Sequence, residues 1–280
     1  MLSTVPPPKD PLTEPGPWNA VAVGYDAAFF GRFPDLVATA IDLLAPEAES
    51  TALDIATGPG TLAIQLAPRV RRVVAVDFST AMIDRLHAHV LRGHITNLEA
   101  HVMDGQQLTF DDASFDLVAS MFGVFLFADR ALGLAEMFRV VVPGGRALVT
   151  SWAPLEQNSL LGAGWSALRA ARPELLRPKG PLPTQIPEVC SAELEAVGFE
   201  HVGSRVVVSA TRFGSVEEYW QGFEQSSAPF ALLREELAED ELASVRERAL
   251  AELRERCGPG AFSLDCAAIF TSGERGLSAA

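Results

Sequence analysis

Between about residue 50 and residue 152, short runs rich in Val, Ile and Leu alternate with stretches of helical periodicity, and no other feature constrains the fold as much. Strands are expected over 52–55, 72–76, 98–102, 116–120 and 147–150, with helices over 61–67, 80–91 and 130–141. The strands are nearly continuously apolar, as strands covered on both faces must be. Strand, helix and strand in succession give parallel neighbours, so an α/β sheet follows.

The flanks read differently. Residues 1–17 begin Val5-Pro6-Pro7-Pro8-Lys9-Asp10-Pro11, have no basic region followed by an apolar one, and are expected to be a disordered leader. Residues 18–44 read as helices interrupted at Pro34 and are assigned as a helical lid ahead of a 45–153 core. From 154 to 272 come a Pro-rich segment to Pro187, a helix over 191–197, a strand over 202–209, helical stretches over 216–256 and a strand over 262–270, with 273–280 as a flexible tail. The segment over about 214–256 is expected as an insertion between two paired strands. Seated over the carboxyl edge of the sheet it would be a cap on a ligand site; an ordinary amphipathic packing layer has the same periodicity.

A formal charge of −14 opposes binding to nucleic-acid phosphates and anionic membranes, which need clustered Lys and Arg. The longest apolar run, 117–128, is far short of the ~20 residues that span a bilayer. Cys190, Cys257 and Cys266 are odd in number and unclustered, so neither disulfides nor structural zinc is expected. A cytoplasmic protein acting on a small molecule remains; spacing does not choose between a monomer and a homodimer.

Asp54 closes a strand, and Gly58 and Gly60 precede a helix, so the backbone can turn tightly against a ligand. Gly58-Pro59-Gly60-Thr61-Leu62-Ala63 also satisfies the G-x-G-x-x-A dinucleotide pattern, and Asp77 at the end of the second strand suits the ribose of NAD or of an adenosyl group equally. A short-chain reductase needs Tyr-x-x-x-Lys, whereas Tyr25 and Tyr219 are the only tyrosines and each has Phe four residues on.

The ordered set Leu53-Asp54-Ile55-Ala56-Thr57-Gly58-Pro59-Gly60, Val76-Asp77-Phe78-Ser79 with Met82, Asp104-Gly105, Phe115-Asp116-Leu117-Val118 and Pro143-Gly144-Gly145 resembles the class I methyltransferases that use S-adenosylmethionine. The likeness is to the ubiquinone/menaquinone-biosynthesis-like group acting on small molecules, and it is strong over about 50–152. It implies a Rossmann-like seven-stranded, mostly parallel sheet of order 3-2-1-4-5-7-6, with the seventh strand antiparallel. It also implies S-adenosylmethionine as cofactor and S-adenosylhomocysteine as product. Where the family usually has a further glycine, this chain has Ala56.

By the same resemblance, Asp54 with the backbone of Ala56, Thr57, Gly58 and Gly60 holds the methionine end. Asp77 binds the ribose hydroxyls, Phe78 and Met82 pack on adenine, Asp104 accepts from its amino group with Gly105 beside it, and Met121 and Phe122 lie between cofactor and acceptor. Tyr25 would close over the cofactor from the lid. Aromatic residues Phe125, Trp152, Trp220 and Phe223 are candidates to line a hydrophobic acceptor pocket, most of them equally explicable as core. Tyr25, Tyr219 and Glu224 are candidates for a catalytic base that spacing does not place. No metal is expected. The implied activity is methyl transfer to oxygen, nitrogen or carbon of a small hydrophobic or aromatic metabolite; a cofactor-binding module that does not methylate and an NAD-dependent reductase are the alternatives.

Overall fold

The computed structural model describes residues 10–171 and 183–277. Seven strands, β1 (Thr51–Ile55), β2 (Arg72–Asp77), β3 (Leu98–Val102), β4 (Phe115–Met121), β5 (Val141–Trp152), β6 (Phe199–Phe213) and β7 (Phe262–Arg275), make one sheet in the order β3-β2-β1-β4-β5-β7-β6. The first five are parallel, and β7 runs antiparallel to both β5 and β6. This is the order that the resemblance implies.

The apolar runs explain why the strands are central. Ala52, Val73, Ala75 and Leu117 enter one core, and Leu53, Ile55, Val74, Val76 and Val118 enter another on the opposite face. Successive side chains on a strand point to opposite faces, so only a run without polar interruptions fills both.

Around the sheet lie α1 (Pro15–Phe29), α2 (Pro34–Leu44), α3 (Thr61–Leu66), α4 (Thr80–Arg92), α5 (Arg130–Val140), α6 (Ser159–Ala171) and α7 (Pro187–Ala196). The remaining helices, α8 (Val216–Ser226), α9 (Ala228–Glu236) and α10 (Glu239–Cys257), fill the span between β6 and β7. Local chemistry sets the starts: Ser79 accepts from the Met82 amide at 3.2 Å and Asp129 from the Leu132 amide at 3.0 Å, each satisfying an otherwise unpaired helix donor. Pro34 opens α2 rather than merely interrupting a helix, because a first-turn position needs no N–H.

Three boundaries differ from expectation. Part of the stretch expected as a leader is ordered, because Asp10 caps a 3₁₀ turn over Pro11–Thr13 and Pro15 starts α1; residues 1–9 lie outside the described set. Helix α6 occupies part of the stretch read as Pro-rich. At the other end β7 runs to Arg275, which leaves less tail, and residues 278–280 again lie outside the described set.

Helix α1 is fastened on two sides. Toward α4, buried Asp26 meets Arg85 and His89 at 2.7 Å each, Phe30 stacks on the His89 ring at 3.8 Å, and Asn19 Oδ1 accepts from the Ser79 hydroxyl at 2.7 Å. Toward α8, a β-carbon on Gly24 would stand 2.2 Å from the Gln225 carbonyl oxygen, so only glycine allows the two helices to approach this closely. Gly164 of α6 is a similar seat, with the Phe223 ring 2.5 Å from where its β-carbon would be. Residues Val245, Ala249 and Leu253 of α10 share a core with Ala163, Ala167 and Leu168 of α6, so the insertion is built into the molecule as a packing layer.

Candidate active site

A cavity opens at the carboxyl ends of β1, β2 and β4, beneath α1. Its polar floor is acidic. Asp54 ends β1 almost fully buried, and its Oδ2 accepts from the Thr57 hydroxyl at 2.6 Å and the Ala63 amide at 3.1 Å. Its Oδ1 is buried without a partner among the described residues, an acceptor left over for a further donor. Burial pushes the Asp54 carboxyl up to about 7, against the hydrogen bonds from Thr57 and Ala63. Asp77, at the end of β2, accepts from the Gly58 amide and the Ser79 amide at 2.9 Å each, and burial pushes its carboxyl up to about 6. The same residue therefore braces the first loop and the start of α4.

Asp104 completes the acidic set and holds its own turn by accepting from the Gln106 amide at 2.9 Å. No Lys, Arg or His is among the described residues lining this cavity.

The opposite wall is aromatic. Trp18, Tyr25, Phe29 and Phe33 form consecutive ring contacts along α1 and the turn after it, and Phe33 meets Trp152 edge-on at 6.3 Å. Trp152 in turn stacks on Phe122 at 3.7 Å. Phe122 sits at φ 61, a left-handed conformation costly for a side chain of this size, and its amide donates to the Thr150 hydroxyl at 3.0 Å. Ala56 is also left-handed, at φ 53, which explains a family preference for glycine there; its methyl fits because Gly123 opposite has no β-carbon.

Residues 52–145, which carry this floor, match the family of methyltransferase domains. Over this stretch, about a third of the chain, the protein is similar to methyltransferase domains. The chain is similar to a demethylmenaquinone methyltransferase of Thermus thermophilus, 40% identical over 119 residues, which are 41% of this chain and 53% of that protein. The chain thus spans about half the length of the curated relatives it matches. In fold, it is similar to the YcgJ protein of Bacillus subtilis, with TM-score 0.56 and 17% identity over 86% of this chain and 97% of that one. It is also similar to the [4+2]-cyclase SpnF, with TM-score 0.52 and 14% identity over 86% and 81%.

Within and around this stretch, the cavity gathers Asp54, Ala56, Thr57, Gly58, Asp77, Phe78, Met82, Asp104, Gly105, Met121, Phe122, Tyr25 and Trp152 from the expected set. Gly60 does not line it; at φ 90 it serves packing, since a β-carbon would lie 2.2 Å from Leu86. Phe125 lines neither this cavity nor the smaller one beyond Phe29, and Trp220 is buried among Phe223 and Phe230. Phe223 lines the smaller cavity only.

The base candidates separate clearly. Glu224 is held by Arg246 at 2.5 Å and faces neither cavity. Tyr219 is buried, donates to the Leu160 carbonyl at 2.5 Å, and has its hydroxyl pushed up by burial, so it ties α8 to α6. Tyr25 does line the first cavity, but burial and the charge of Asp77 push its hydroxyl up to about 12, so it keeps its proton at neutral pH. Sequence reasoning missed Phe29 and Phe33. Their signal was the aromatic repeat Tyr25, Phe29, Phe33, which puts Tyr25 and Phe29 on one face of α1 and Phe33 in the turn that follows. Among the described residues no Asp, Glu, His and Cys cluster able to hold a metal occurs, and no helix is long and apolar enough to cross a membrane.

Proposed function

We propose that the protein transfers a methyl group from S-adenosylmethionine to a small, hydrophobic, aromatic acceptor, with a menaquinone-type ring as the acceptor that the name of the Thermus relative favours. The observation that carries this is the acidic floor. Three carboxylates and no cation suit a ligand bearing a sulfonium and an ammonium, whereas the pyrophosphate of a dinucleotide would meet like charge there.

When bound, S-adenosylmethionine supplies a methyl group on a positively charged sulfur. Asp54 would offer its Oδ1 to the ammonium end, and the two oxygens of Asp77 would accept from the two ribose hydroxyls. Asp104, which lines the cavity with Gly105 and Phe78, would accept from the adenine amino group. Phe122, Trp152 and Phe33 hold an acceptor ring flat and exclude water, so alignment and a dry, aromatic surface around a dispersing positive charge lower the barrier. The Tyr25 hydroxyl keeps its own proton at neutral pH and so does not serve as the acceptor's base.

Calorimetric titration tests the reading. S-adenosylhomocysteine should bind, Asp77→Ala should weaken it by at least tenfold through loss of charge-assisted hydrogen bonds, and NADH should not bind. Binding of NADH without binding of S-adenosylhomocysteine would overturn it.

A further inference from the structure

The sheet has two edges, and they are finished differently. Strand β3 closes one with 5 residues, and its Glu99 is held by Arg72 of β2 at 2.8 Å with His101 at 3.9 Å. A short edge lined with charge deters further strands. Strand β6 closes the other with 15 residues, and among the described residues no strand lies beyond it. In an antiparallel pair every second residue turns its N–H and C=O away from its neighbour, so a row of donors and acceptors faces outward along β6. An irregularity between Glu200 and Gly203 interrupts the start of that row, whereas from Gly203 to Phe213 the pairing with β7 is unbroken.

The two faces of this stretch differ. Val207 packs toward the core, and Ser209, Thr211 and Phe213 on the same face are buried. Val206 and Val208 lie side by side on the opposite face, 44% and 58% exposed. Helix α7 reaches the start of that face, where the Ser191 and Ser204 hydroxyls meet at 2.8 Å. Arg205 and Arg212 are the only charged residues between Gly203 and Phe213.

We propose that β6 is the contact surface for a second copy of this chain, the two β6 strands pairing antiparallel about a two-fold axis at Val207 so that one sheet continues through both molecules. A strand that meets its own copy has few registers open to it, each named by the residue on the axis. With Val207 there, Val206 stands opposite Val208 of the second copy, and the reverse pair repeats the contact, so both exposed valines are covered by valine. Arg205 then stands opposite Ser209 of the second copy, whose hydroxyl is 3.4 Å from Asp35 Oδ2. Both Arg205 and Asp35 are exposed, and among the described residues neither has an ion-pair partner, so each copy offers a cation where the other offers a carboxylate. The neighbouring registers do worse. An axis at Val206 sets Val208 against Ser204, one at Val208 sets Val206 against Ala210, and one at Arg205 sets the two guanidiniums against each other.

Sedimentation of the full chain over a wide range of concentration tests this, and the expected result is a mass twice that of one chain at the upper end. Val208→Lys, at an exposed position that leaves the core alone, puts an ammonium group against Val206 at both ends of the contact and should weaken dimerisation by about tenfold or more. Arg205→Glu sets a carboxylate beside Asp35 and should weaken it as well. Adding Asp35→Lys to Arg205→Glu should restore the parent's dissociation constant to within about threefold, a rescue that this register alone provides. Far-ultraviolet circular dichroism should be the same for the parent and all variants. A single-chain mass throughout overturns the inference and leaves the edge to a strand of a different protein. A dimer indifferent to both Val208→Lys and Arg205→Glu, or a charge reversal that rescues nothing, overturns it too.

Discussion

Asp54 is held in a state that disfavours its own charge, and replacing it with asparagine measures by how much. Its carboxyl is raised from the ordinary 3.8 to about 7, with burial as the leading cause. Between pH 4 and pH 7 the folded protein therefore keeps a proton that the unfolded chain has lost, and stability falls as pH rises through that window. At about 1.4 kcal/mol per pH unit, the buried carboxylate costs about 4 kcal/mol at pH 8 and about 2 kcal/mol at pH 5. Asp54→Asn removes this term but leaves its amide where Oδ1 now lies unpartnered, a loss of roughly 2 kcal/mol for an unsatisfied buried donor. The variant should accordingly be about 2 kcal/mol more stable than the parent at pH 8 and about equal to it at pH 5, by urea denaturation of both proteins at both pH values. Its affinity for S-adenosylhomocysteine should fall. A variant less stable at pH 8, or a difference that does not change with pH, would show that Asp54 is not a strained, ligand-awaiting charge.

Two further substitutions address the seating of α1. Asp26→Ala leaves Arg85 and His89 without their shared partner, should cost about 2–3 kcal/mol given that Arg85 is partly solvated, and should expose α1 to limited proteolysis; an unchanged urea midpoint would mean that the pairs hold nothing. Gly24→Val forces α1 away from the Gln225 carbonyl, with an expected loss of about 1–3 kcal/mol from overpacking and weaker retention of S-adenosylhomocysteine, both absent if the helices part freely.

How much of this was legible depended on how local each signal was. The five parallel strands announced themselves because both faces of the sheet had to be filled, so their apolar runs were unbroken. The acidic floor was legible because Asp54, Asp77 and Asp104 stand at strand ends within recognisable motifs. Helix α6 was not, since Gly162 and Gly164 weaken its propensity and are there to admit Leu155 and Phe223 from elsewhere. Asn19 and Asp26 were equally silent: their partners lie about sixty residues on, and nothing near them in the chain shows that they fasten one helix to another. Tyr219 looked like a candidate base because the carbonyl of Leu160 that accepts its hydrogen bond belongs to a different helix.

The two strands that flank the three-helix insertion meet at their inner ends, where Phe213 pairs with Phe262. The excursion from 214 to 261 thus departs from and returns to one spot, and the sheet is indifferent to its length; lengthening such a loop even twofold costs only about 0.6 kcal/mol. What the insertion must match are two notches, at Gly24 and Gly164, where its α8 sits down. A differently shaped insertion keyed to the same notches would reshape the cavity between α1, α6 and α8 while leaving Asp54, Asp77 and Asp104 untouched, which makes the β6–β7 hairpin an interchangeable socket.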